Sequence, residues 1–389
     1  MSKDINMKVN VLPVLTYNFL HVNDSNLQIK DMEIQTKDAP KPSAIPQGVT
    51  LRRGVSFSEA GEVFRANRDR ILLEKKVVAG PNGDTSMRDK GQAIRTGMGA
   101  DVDELMISMG TECDVYTIDE GEKVGSPVVL RYDMVNGQGS LCSQVIHAKK
   151  NCEATFIMVY DSDRDAAGFL GISTRIFAEE GAKINLIKAQ TLGKEFIHFD
   201  DIGGAAMKGS QINLVTLELG GSKVYSSAYM YLSDKEASYN SNMGYLCRDD
   251  HSLDINYVAD HRGKKTSAAM QFKGVLMGTA SKTFRGTIDF KTGSSGSVGD
   301  EQEDALLLSP DVINRTMPVI LCQEEDVEGR HGATIGQLSD ELLFYMQCRG
   351  IDEVEAKRIM IRARLESVSR LIPDPEIMQK VQYYIESIV

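Results

Sequence analysis

A chain of 389 residues can bury a large core and exceeds the usual size of one globular domain, unless an elongated repeat fold takes up the length. A net charge of −11 and a pI near 5.2 exclude a general nucleic-acid binder, which must neutralise phosphates with lysine and arginine. The opening MSKDINMKVN lacks the layout of a secretory signal, no apolar run approaches the roughly 20 residues of a membrane span, and the six cysteines show no CxxC spacing, so a cytoplasmic chain with reduced thiols and no membrane partner is expected.

Residues 1–95 read as an N-terminal region. Within it Met32 to Gln47, with Pro40, Pro42 and Pro46, suggests an extended linker. Ser58 to Lys76 carries helical spacing, with Val63, Phe64, Ile71 and Leu72 on one stripe.

Residues 96–335 read as a β-rich core organised by a repeat. A small residue precedes a short polar and apolar alternation at Ala154, Ala182, Ser210, Ala237 and Thr266, at offsets of 28, 28, 27 and 29 residues. Leu253 and Ser281 give the same period, again 28 residues apart. Between the marks lie turn signals such as Gly203-Gly204, Gly220-Gly221 and Asp249-Asp250. Short alternating strands at a nearly fixed interval are what a stacked solenoid requires, so the expected architecture is a mainly β chain built on a parallel β-helix. A β-sandwich with coincidental spacing is the alternative.

Residues 336–389 read as a helical C-terminal region. Ser339 can cap a helix over Asp340 to Cys348 with Gly350 as its stop, and Asp352 with Glu355 resembles a capping box opening the next. Asp374 and Pro375 open a third, on which Ile377, Val381, Ile385 and Ile388 share one face. That stripe must be buried on the chain's own core or on a partner.

The chain has no GxxxxGK[ST] loop, no strand-linked GxGxxG and no HExxH, which argues against an ATPase, a Rossmann oxidoreductase and a zincin. Asp161, Asp163 and Asp165 imitate the start of a calcium loop, but glycine is missing at its sixth position and Ile172 occupies the twelfth, so a polar turn is expected. Spacing cannot select a catalytic pair among 55 acidic residues. His331 is the strongest candidate for a site: a neutral imidazole suits iron or another borderline metal, and Asp326, Glu328 and Arg330 surround it in sequence with hydrogen-bonding capacity. Cys322, flanked by Val319, Ile320 and Leu321, reads first as a small buried cysteine, and as a soft iron ligand if it faces an interface. The other five cysteines, Cys113, Cys142, Cys152, Cys247 and Cys348, read as structural.

Several segments together resemble the SufB/SufD family of iron–sulfur cluster assembly proteins. They are LTYNFLHVNDSNL from Leu15, TGMG from Thr96, DHRGKKTSAAMQFKGVL from Asp260, SKTFRGTIDF from Ser281 and HGATIGQLSDELLFYMQCRGI from His331. The HGAT form is similar to the SufD-like branch. A SufB-like scaffold cysteine would fall by ungapped counting at Glu303, and the acidic residue that follows the SufB histidine is replaced by Gly332. A cysteine that some SufD chains carry two residues before the histidine is here Gly329.

The resemblance implies a right-handed parallel β-helix with helical terminal regions. It further implies that the chain is a non-catalytic subunit whose His331 helps hold iron or a transient cluster at an interface with a SufB-like subunit, none being tightly bound by the isolated chain; Cys322 would join it if it faces that interface. Leu342, Phe344 and Tyr345 would dock a SufC-like ATPase, whose ATP-driven closure would twist the pair and open the site. Two other readings stand beside this one: a homodimeric scaffold binding the ATPase alone, and a carbohydrate-active β-helix enzyme. The absence of tryptophan and of a calcium-ligand cluster with a basic catalytic residue weighs against the enzyme.

Overall fold

The computed structural model describes residues 3–14, 20–36, 39–73, 94–337 and 339–388. The chain opens with an antiparallel pair, β1 (Lys3–Val9) and β2 (Ser25–Met32), followed by the short β3 (Ile34–Gln35) and by β4 (Val49–Ser56). The stretch expected as one helix forms three short ones, α1 (Phe57–Ala60), α2 (Glu62–Ala66) and α3 (Arg68–Leu72), interrupted at Gly61 and Asn67. Phe64, Ile71 and Leu72 are buried as the stripe required, whereas residues 74–76 lie outside the described residues. After α4 (Ala100–Ser108) the solenoid begins.

Its strands are β5 (Glu112–Ile118), β6 (Val128–Met134), β7 (Gly139–Ala148), β8 (Glu153–Ser162), β9 (Ala167–Ala178) and β10 (Lys183–Thr191). There follow β11 (Glu195–Ala206), β12 (Gln211–Glu218), β13 (Lys223–Leu232), β14 (Ser238–Cys247) and β15 (Ser252–His261). The last are β16 (Ser267–Leu276), β17 (Ser281–Phe290), β18 (Ser297–Leu307), β19 (Ile313–Cys322) and β20 (Val327–Gln337). From β5 onward the odd strands form one parallel sheet and the even strands the other, so that each successive odd–even pair is one turn. The chain is thus mainly β, a parallel solenoid of about eight turns.

The repeat is visible in the hydrogen bonds. The carbonyls of Cys152, Ala182, Ser210, Ala237 and Thr266 each accept from the next turn, at 2.8–3.1 Å. All five residues are buried, because the chain bends tightly there and only a small side chain fits inside the corner. Three of the four expected offsets are therefore the true register. The first is corrected from Ala154 to Cys152, which makes that turn 30 residues long, and Ser281 pairs with Ser252 instead of Leu253. Such shifts matter, since moving a strand by one residue turns its inner face outward.

Both sheets are covered on both faces, which is why strands such as β9 are buried almost throughout. Between the sheets lies a core of stacked aromatic and aliphatic side chains, with Tyr257, Phe272 and Phe284 in edge-to-face contact. The N-terminal region packs on the outer face of the odd-strand sheet, burying Phe64 against Phe177. Arg285 fastens it there: its guanidinium reaches the carbonyls of Val22 and Asp24 and the side chains of Ser25 and Asp254. Asn256 binds the carbonyl of Gly97, so residues of three segments quoted for the family resemblance, Val22 to Ser25, Gly97 and Arg285, are held at this clasp. Leu15 to residue 19 of the first segment lie outside the described residues.

The C-terminal helices α5 (Asp340–Cys348), α6 (Glu353–Ser369) and α7 (Pro375–Ile388) follow β20. Ser339, Asp352 and Asp374 cap them, each accepting from a backbone amide three residues on. Gly350, at φ +83°, stops α5 as expected. The α7 stripe Ile377, Val381, Ile385 and Ile388 is buried on the chain's own even-strand sheet with Leu365 of α6. Leu365→Ala should therefore cost about 2–5 kcal/mol of stability in denaturant titration, whereas Tyr383→Ala, 73% exposed on the far side of α7, should change it by less than about 0.5 kcal/mol.

Candidate functional site

β19 and β20 are the last strands of their sheets, so the solenoid ends on two parallel edges. Parallel strands in register stack like on like, and alternate residues share a face. On β18 the inward side chains include Glu301, Glu303 and Ala305, whose register partners on β20 are His331, Ala333 and Ile335. His331 is consequently an inward-facing residue of a turn that carries no further turn above it, and it is exposed. On β19 the equivalents are Thr316, Ile320 and Cys322, stacked on Phe284, Ile288 and Phe290 of the core.

Cys322 is exposed, not buried: its apolar neighbours suggested a core cysteine, but the last turn has nothing to cover them. Its Sγ donates to the carbonyl of Glu324 at 3.0 Å. Cys348 on α5 is also exposed, while Cys113, Cys142, Cys152 and Cys247 are buried. The charged residues around His331 in sequence are corrected too. Glu328 and Arg330 lie on the opposite face of β20 and pair with each other, and Asp326 accepts from the Ser295 hydroxyl at 2.7 Å. Of the calcium-like aspartates Asp161 lies at the end of β8, where it accepts from Thr191, and Asp163 and Asp165 lie in the turn to β9, with Asp165 paired to Lys194.

What sequence reasoning missed lies one turn below His331. Glu301 is 1% exposed and neither carboxylate oxygen has a hydrogen-bond partner. Its carboxylate fills the space over Gly286, where any side chain would collide with it. Burial, aided by the nearby Glu303 and Asp300 charges, pushes the Glu301 carboxyl up to about 8. Glu303, the residue at the counted scaffold position, is instead satisfied: Lys282 pairs with it, Tyr245 donates at 2.9 Å and Thr316 at 2.7 Å. Thr316 belongs to the open turn and also accepts from Lys282 at 3.1 Å, so this polar group reaches the surface. The only signal for Glu301 was its 30-residue register with His331, which needs the turn lengths to be known.

The open end thus presents an imidazole on β20 and a thiol on β19, groups that suit a borderline metal such as iron, with the Glu301 carboxyl buried beneath; among the described residues these three do not converge into one set of ligand atoms. At the neighbouring C-terminal region Leu342, Phe344 and Tyr345 are 38%, 68% and 56% exposed on α5, with Arg349 stacked 5.1 Å from the Tyr345 ring. Among the described residues no helix is long and apolar enough to cross a membrane.

The structure is a parallel solenoid flanked by helices, with a histidine and a cysteine exposed on its last turn. Residues 132–364, more than half of the chain, match the core domain described as SUF system FeS cluster assembly, SufBD core domain, and the chain belongs to the SufBD family. Its relatives include an iron–sulfur cluster assembly SufBD family protein of Mycobacterium bovis, 30% identical over 32% of this chain and 15% of the relative. The iron–sulfur cluster assembly protein SufD of Plasmodium berghei is 24% identical over 61% of this chain and 18% of its own length. A SufBD family protein of Mycobacterium leprae is 22% identical over 58% of this chain and 59% of the relative. The matched chain thus spans less than two thirds of each.

The folded chain holds the Glu301 proton to a higher pH than the unfolded chain does. Its folded state is therefore favoured below the ordinary glutamate range near 4.5, and that advantage is lost as pH rises towards about 8. Glu301→Gln should stabilise the protein at pH 8 by about 1–3 kcal/mol and leave it nearly unchanged at pH 5. Urea titrations at the two pH values measure this, and equal effects at both would show that Glu301 is not held neutral by burial.

Proposed function

We propose that this chain is a SufD-like, non-catalytic subunit of a cytoplasmic SUF assembly complex. The open turn carries this reading: both of its strand edges end their sheets, and of its inward residues His331 and Cys322 are exposed while Thr316 and Ile320 are half-buried. An interior surface without a following turn is completed by a partner that pairs with those edges, and a SufB-like subunit built on the same kind of solenoid fits. Iron or a nascent iron–sulfur cluster is then cargo held where the two chains meet, with His331 and Cys322 as this chain's ligands. The exposed α5 side chains Leu342, Phe344 and Tyr345 supply an apolar face for a SufC-like ATPase, whose closure on ATP would move the two solenoids against each other. The naming of a similar Plasmodium berghei chain as SufD supports the branch assignment.

Native mass spectrometry of the chain coexpressed with SufB-like and SufC-like partners should show one copy of each solenoid subunit with two of the ATPase. A homodimer bearing only the ATPase would replace this reading with a homodimeric scaffold. Within the complex, His331→Ala should leave assembly intact and lower bound iron and acid-labile sulfide on the order of tenfold. Unchanged iron and sulfide would remove His331 from the site.

A further inference from the structure

Well below the open end, the interior of the solenoid holds a second set of donor atoms. β10 turns Lys188 inward, β11 turns His198 and Asp200, and β12 turns Glu218, each at most 2% exposed. One ligand atom from each of His198, Asp200 and Glu218 lies within 4.8 Å of the other two. His198 Nδ1 sits 2.8 Å from the carbonyl of Leu170. A carbonyl only accepts, so Nδ1 carries the proton and Nε2 presents its lone pair to the carboxylates, which is how a metal-binding histidine is oriented. That Nε2 has no hydrogen-bond partner, and neither has Glu218 Oε2.

Two buried polar atoms left without partners beside a third carboxylate are costly unless a proton or a cation lies between them. Lys188 meets only part of the demand: its ammonium binds Asp200 and the Thr174 hydroxyl, the latter at 3.0 Å, and Tyr160 donates to Asp200 at 3.3 Å. We propose that His198, Asp200 and Glu218 bind one divalent first-row transition-metal ion, of the zinc or iron(II) kind. One imidazole with two carboxylates suits these ions, whereas magnesium and calcium favour oxygen alone. Ligand atoms around a tetrahedral ion with bonds of about 2.1 Å are about 3.4 Å apart, so the three side chains draw together on binding. Lys188 is the competing cation on Asp200. Glu218 also lines a cavity of about 10 Å³ with Gly220, Gly221, Cys247 and His251, room for about one water.

The test uses the full chain produced in zinc-supplemented medium, freed of loose ion by gel filtration, with bound metal counted by native mass spectrometry. One ion per chain is expected, and it persists when both His331 and Cys322 are replaced by alanine, which separates this site from the open end. His198→Gln should weaken retention at least tenfold, and Lys188→Met should strengthen it by removing the competing charge. Cobalt(II) substitution should give d–d bands without thiolate charge-transfer absorption. Should His198→Gln fail to fold, Glu218→Gln and Lys188→Met make the same comparison. A chain that retains no ion, or one whose ion is lost with His331 and Cys322 while His198→Gln keeps it, overturns the proposal.

Discussion

The structure depends on the register between successive turns. Each strand bonds to the strand one turn away, parallel and residue for residue, so whatever faces inward in one turn is stacked on an inward residue in the next. Columns of small residues at the bends, aromatic rings in the middle and polar groups near the odd–even junctions all follow from that rule. So does the burial of the two outer faces, because outward positions also line up into continuous apolar surfaces. The N-terminal hairpin and short helices cover one, and α6 with α7 covers the other. A bundle of separate contacts would not need turn lengths to be kept so close, whereas here a slip of one residue would expose a whole strand's core face.

Keeping such columns in register lets the interior hold charges that a smaller core would exclude. Lys188 with Asp200 and Lys282 with Glu303 are each almost fully buried, and burial pulls both lysines down from their ordinary range while their carboxylate partners oppose it. Such pairs contribute little net stability, since desolvation of both ions offsets their attraction, but removing one partner leaves the other exposed to the full cost, about 3–5 kcal/mol. Arg175 plays a comparable role outside the core, where it joins Asp201 of the odd-strand sheet to Asp103 of α4. Arg285 does so further along, holding the segment from Val22 to Ser25. The segments quoted for the family resemblance therefore act mostly as fastenings of the N-terminal region, and FRG combines two duties: Arg285 faces out to the clasp while Gly286 faces in to leave room for Glu301.

Much of this architecture was legible because it obeys local rules. The solenoid announced itself through small residues at a nearly constant interval, and the C-terminal helices through Ser339, Asp352 and Asp374, whose capping bonds depend only on neighbouring residues. What was not legible depends on turn length. The first mark fell on Ala154 instead of Cys152 because two extra residues in one turn leave no trace in composition. The same uncertainty hid Glu301 beneath His331, and it hid the meeting of His198, Asp200 and Glu218, which come from both strands, and so both sheets, of one turn. Cys322 was misread for a different reason. Its flanking residues are those of a core strand, and its place in the last turn leaves them half-buried and Cys322 exposed. The N-terminal hairpin was missed because β1 and β2 are short and lie 16 or more residues apart, with no tight-turn signal between them.

The last turn shows how one sequence pattern can serve two ends. In every earlier turn an inward residue is buried by the following one, and the apolar flanks of Cys322 and the small residues around His331 follow that same pattern. Where the solenoid stops, the pattern continues but the cover does not, so side chains composed for an interior stand at the surface next to two unpaired strand edges. A partner that continued the register would bury them as the next turn does elsewhere, excluding water from the imidazole and the thiol at the same time as it satisfied the backbone. Metal ligands gain most from such exclusion, because electrostatic attraction strengthens as water leaves. Association and ligand strength would then be one event, and the stacking rule that builds the fold would also fix where His331 sits against whatever completes it.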